Sequence, residues 1–149
     1  MTTLRAALPS ILAILTAACT APGEPPTHQN TAEYHDLIRR ELSATTSTLA
    51  TMQLTLNYAN HDRITQTYAI TITHQSQADL TRVATDLAHI RPPAQYITAH
   101  HRLQTLTLQA STQLATLQKH WNPSARTREL HTLNTQTHTT DHLSQTLLN

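Results

Sequence analysis

The chain has 149 residues, of which 38% are hydrophobic and 3% aromatic, and it holds 10 Lys and Arg against 9 Asp and Glu, with one Gly, one Cys and no Phe. That length fits a single domain, and sparse, balanced charge offers no basic stripe for counterion release, which argues against nucleic acid as a partner. One Cys permits neither a disulfide framework nor a multi-cysteine metal site, and one Gly does not build the phosphate-cradling loops of nucleotide-binding folds.

Met1 to Arg5 is a short start with one positive charge, and Ala6 to Ala18 is an uncharged, mainly apolar run with the dimensions of a secretory signal. It falls short of the roughly 20 apolar residues that span a bilayer. The run ends in Leu15-Thr16-Ala17-Ala18-Cys19, placing the chain's one cysteine directly after two small residues. This segment resembles the lipobox of bacterial lipoproteins, with Thr16 standing where that family most often has Leu. The resemblance covers residues 1–19 and implies cleavage before Cys19, acylation of Cys19, and anchoring at the extracytoplasmic face of a cell membrane, with the outer membrane one option in a Gram-negative source. The competing readings are an ordinary secretory signal with an incidental Cys, or a buried first helix. Loss of Arg5 with residues 1–18 leaves a formal charge of zero, so attachment would rest on lipid rather than charge. Residues 19–30, with the only Gly and three of the seven Pro, read as a disordered tether.

Beyond the tether the pattern breaks at Asn60-His61-Asp62, at Pro92-Pro93 and at Asn122-Pro123-Ser124. Helices are expected over about 31–59, 62–91, 93–121 and 124–148, with Asn30 to Glu33 as a capping-box-like start. Similar lengths and short connections predict an all-α, up-down-up-down antiparallel four-helix bundle over 31–149. Apolar and small residues recur in steps of three and four. The first seam is Ile38, Leu42, Thr45, Leu49, Met52, Leu56 and Ala59; the second is Ala69, Thr73, Ser76, Leu80, Val83, Leu87 and Ile90. The third runs from Tyr96 through Ala99, Leu103, Leu106, Ala110, Leu114 and Leu117 to Trp121. The fourth is weakest, with Leu130, Leu133, Leu143, Leu147 and Leu148 interrupted by Thr137 and Thr140. The Leu87 to Pro93 hairpin, followed by His100 and Leu103, also resembles the Pro-Pro-joined hairpins of bacterial exported helical proteins, which implies the fold and no activity.

A second reading competes over residues 52–73. Met52 to Tyr58 and Ile64 to Thr73 alternate with period two and are rich in β-branched residues, as in a hairpin turning at Asn60 and Asp62. Locally the strand pattern is the better match, but it leaves a lone two-stranded ribbon among helices, marginal by itself.

The 11 His are the residues numerous enough to suggest chemistry. Codons for the abundant Thr, His, Gln and Asn are rich in A and C, a composition that a strand-biased genome would produce, so each His needs support from its position. His74, His89 and His101 point away from their seams, and His131, His138 and His142 form a stripe on the polar face of the fourth helix. His138 and His142 have the i, i+4 spacing that lets two imidazoles share one metal. His35 and His100 fall at core boundaries on the first and third helices, whose starts share one end of the bundle. The metal candidates are therefore His35, His100, His138 and His142, each weighed against a solvated or boundary histidine. The acidic residues, Glu41 and Glu129 among them, are expected mainly at surfaces or helix starts, no catalytic constellation is apparent and no cofactor is implied. The leading expectation is a non-enzymatic, lipid-anchored interaction or envelope-associated protein with a possible protein partner; the alternative is a metal-binding or metal-buffering surface protein.

Overall fold

Side-chain caps start three of the four helices. The computed structural model describes residues 30–149, and in it α1 spans Thr31–Asn60, α2 Gln66–His89, α3 Ile97–Lys119 and α4 Pro123–Leu148. The Asn30 side chain accepts from Ala32 N–H at 3.2 Å, Thr65 from Tyr68 N–H at 3.3 Å, and Asn122 from Ala125 N–H at 2.9 Å. Each satisfies a donor that the first turn leaves free. Pro123 opens α4, where a missing N–H costs nothing.

The boundaries differ from expectation where turn chemistry intervenes. Asp62 adopts a left-handed conformation, φ 54°, and Arg63 N–H bonds back to the Tyr58 carbonyl at 2.9 Å, so α2 starts only after the Thr65 cap. At its other end α2 stops at His89, because Pro92 pushes the residue before it out of helical conformation. A short 3-10 turn, Ala94–Tyr96, then leads into α3.

The helical reading of 52–73 holds: Met52 to Tyr58 lie in α1, Gln66 to Thr73 lie in α2, and no strand occurs among the described residues. The β-branched residues fit because their hydroxyls bond backwards within the helix. Thr55 donates to the Thr51 carbonyl at 2.8 Å, Thr71 to Thr67 at 3.0 Å and Thr73 to Ala69 at 2.8 Å. The local alternation yields to a seam that buries Leu49, Met52, Leu56, Ala69 and Leu80.

Each helix packs on its sequence neighbour and α4 closes against α1, giving the four-helix bundle. Two apolar clusters fill it. One, at the end where α1 and α3 begin, centres on Tyr34, Ile38, Leu87, Leu103 and Leu147; the other centres on Leu49, Leu56, Leu80, Leu114 and Leu133. A buried belt of Thr45, Thr107 and Thr140 lies between them, each hydroxyl bonded to a carbonyl of its own helix. The expected seams are buried in α1 and, up to Leu87, in α2; Ile90, Trp121, Leu130, Thr137 and Leu148 are only half-buried. In α4 the buried line runs Ala125, Glu129, Leu133, Gln136, Thr140, Leu143 and Leu147, three of them polar and long or β-branched. The expected surface placement of the acids therefore fails at two positions. Glu41 is 0% exposed and Glu129 is 8% exposed, because helical phase puts both on the inward face.

Candidate functional site

The polar stripe inside α4 has a consequence for packing. Thr132, Thr135, Gln136 and Thr139 on α4 face Thr105, Gln109 and Gln113 on α3, where the other helix pairs bring leucines together. Accordingly α3 and α4 pack less closely than the other neighbouring pairs. Between them runs a groove of about 1050 Å³, with Ile97, Leu106 and Leu143 as its large apolar residues. This is the size of a ligand site.

The α4 side of the groove is less polar than its composition suggests. Thr132 donates to the Arg128 carbonyl at 3.1 Å, Thr135 to His131 at 3.3 Å and Thr139 to Thr135 at 2.9 Å. With each hydroxyl proton engaged by its own helix, the γ-methyl is what remains for a neighbour. Charge in the groove is one-sided. Arg102 is its only formally charged lining residue and makes no ion pair among the described residues, while His101, His138 and His142 add imidazoles and no carboxylate lines it.

Farther in, Gln136 Nε2 donates to Gln113 Oε1 at 2.7 Å, bridging the two helices. Gln136 is 8% exposed and its Oε1 is buried without a hydrogen-bond partner. A smaller cavity of about 410 Å³ continues toward the α3–α4 turn and is lined by Glu129, whose Oε1 is likewise buried and unpartnered. Burial pushes the Glu129 carboxyl above its usual range, only partly offset by Arg128.

The four metal candidates lie in two places. His100 is 2% exposed, and both its ring nitrogens are engaged, Nδ1 by the Tyr34 hydroxyl at 3.4 Å and Nε2 by the Leu87 carbonyl at 3.0 Å. Burial lowers its pKa, so the neutral imidazole is the native form. His35 shares that end of the bundle, as expected, and sets its ring against the edge of Tyr96 at 5.3 Å; its Nε2 is buried without a partner. Tyr34 neighbours both imidazoles, with ring centroids 6.0 Å from each. His138 and His142 are exposed on α4 and line the groove with His101. Among the described residues no three His, Cys, Asp or Glu side chains come together to hold a metal ion. Cys19, the signal segment and the tether lie outside the described residues, and no described helix is long and apolar enough to cross a membrane.

Sequence reasoning missed Arg102, Gln113, Glu129 and Gln136. A helical wheel carried through α4 without regard to hydrophobicity places Glu129 and Gln136 in line with Leu133 and Leu143. The relation of Arg102 to His138 and His142 needs the pairing of α3 with α4. Comparison with protein-family models, curated proteins and solved structures finds no match for this chain.

Proposed function

We propose that this chain is a non-enzymatic, lipid-anchored extracytoplasmic binding protein, held to the membrane through Cys19 and acting through the α3–α4 face of its bundle. The observation that carries the binding role is the open groove between α3 and α4, in a bundle whose other neighbouring helices pack more closely. The anchoring role rests on the lipobox-like segment ending at Cys19. No carboxylate lines the groove with its imidazoles to act as an orienting acid there, which favours binding over hydrolytic chemistry.

The test is metabolic labelling of the full chain with a fatty-acid analogue, paired with membrane fractionation. Labelling and membrane retention that disappear in Cys19→Ala support the reading; a soluble chain with no Cys19-dependent label overturns it. The metal-buffering alternative rests on His138 and His142, the two exposed candidates at i, i+4. Zinc or copper titration of untagged protein tests it, with only millimolar affinity expected from two imidazoles lacking a third ligand.

A further inference from the structure

The groove's chemistry narrows what it holds, and this step rests on the binding role proposed above. We infer that the α3–α4 groove takes the chain of a long-chain fatty carboxylate, with its head group on Arg102. Three observations carry this.

The first is charge complementarity. Arg102 offers a planar pair of donors suited to a carboxylate, it has no ion-pair partner among the described residues, and His101 and His142 flank the same mouth without any competing acid. The second is the wall. Leu106 and Leu143, with the α4 threonines Thr132, Thr135 and Thr139 whose hydroxyl protons are engaged on their own helix, present mainly hydrocarbon to an occupant.

The third is length. The Gln136–Gln113 bridge joins the two helices in the inner part of the groove, and the unpartnered Gln136 oxygen there disfavours contact with an apolar group. Along α3, Arg102 to Gln113 spans about 16 Å. One leaflet of a bilayer core, the reach of one acyl chain, is about 15 Å. The mouth also lies at the end of the bundle where α1 begins, at Thr31. A membrane anchor at Cys19 would then hold the mouth toward the lipid surface from which such a ligand comes.

The experiment uses the full chain in living bacteria, fed a clickable palmitic acid analogue carrying a photoactivatable diazirine, with peptide mapping of the adducts. Light-dependent adducts are expected on the peptides of α3 and α4 that line the groove. Arg102→Glu is expected to cut them about tenfold, the usual weight of a charge-assisted hydrogen bond. Thr135→Trp, which fills the groove from an exposed position, should abolish them, while Arg39→Glu on α1 should leave them unchanged. Adducts spread evenly over α1 and α2, or a yield indifferent to both groove variants, overturn the inference. A lysophospholipid probe that labels the groove in preference to the fatty acid overturns the assignment of a carboxylate. The same probe reports on anchoring, because acylation of Cys19 needs no light. A chain labelled at Cys19 but not in the groove defeats this inference alone, and one unlabelled at Cys19 defeats the anchoring role.

Discussion

The Tyr34 hydroxyl, on the first turn of α1, lies 3.4 Å from Nδ1 of His100 on α3, and the other His100 nitrogen meets the Leu87 carbonyl of α2 at 3.0 Å. The carbonyl only accepts, so Nε2 carries the proton and Nδ1 accepts from tyrosine. One buried side chain thus ties three helices together at the end of the bundle where the groove opens. Burial, with Tyr96 alongside, pushes the Tyr34 phenol up to about 12, which keeps its donor proton in place.

Burial of the His100 imidazole, only partly offset by its hydrogen bond to the Leu87 carbonyl, makes stability fall in mild acid. The folded pKa of His100 lies below its ordinary value of 6.5, so the unfolded chain binds the extra proton first. The contribution is complete above that value and is lost as pH falls through it toward the folded pKa. Neighbouring His101 adds repulsion in the same direction. Urea unfolding is expected to show a midpoint that drops from pH 7 to pH 5, and His100→Gln should flatten that drop. An equally steep drop in the variant would assign the acid sensitivity to other histidines.

Glu129 has the opposite sign. Its carboxyl is raised by burial, so the folded form retains a proton that the unfolded chain has released. That contribution is full below the ordinary 4.5 and is lost as pH rises through the folded pKa. Glu129→Gln removes the ionisable group at a position 8% exposed and should raise stability at pH 7 by about 1 kcal/mol, with less gain at pH 4. A loss at neutral pH would show that the carboxylate is needed as a charge.

Thr71 separates helix from strand by experiment. It is exposed in the first half of α2, its hydroxyl bonded to the Thr67 carbonyl. Thr71→Ala should stabilise by about 0.5 kcal/mol, since Ala is the better helix former. A clear loss in thermal melting would revive the hairpin.

Leu133 and Leu108 test the inside and outside of the α3–α4 pair. Leu133 is 0% exposed and belongs to the apolar cluster at the far end of the bundle; Leu108 is 56% exposed. Leu133→Ala should cost about 2 to 5 kcal/mol. Leu108→Ala should stay within about 0.5 kcal/mol. Similar losses for both would mean that α3 and α4 pack differently from the arrangement described.

Apolar period, helix breaks and cap residues act over a few neighbours in the chain, which is why fold class was legible in the residues themselves. Leu49, Leu80, Leu103 and Leu143 stand at buried positions that spacing alone assigns, and Asn122-Pro123 opens α4 where its chemistry says it must. The exposure of His74, His89, His101 and His138 was equally legible, because a helix of 3.6 residues per turn fixes which face each occupies. What hydrophobicity concealed was the inward face of α4. Glu129 and Gln136 lie on it through phase, since a polar residue between Leu133 and its neighbours is carried inside with them. The groove belongs to tertiary structure alone. Arg102 and His142 stand far apart in sequence and reach one mouth only because α3 and α4 are antiparallel neighbours whose facing threonines and glutamines hold the helices less closely than leucines do. Likewise the burial of His100, expected only at a boundary, was decided by Tyr34 and Leu87, two side-chain and backbone partners supplied by other helices.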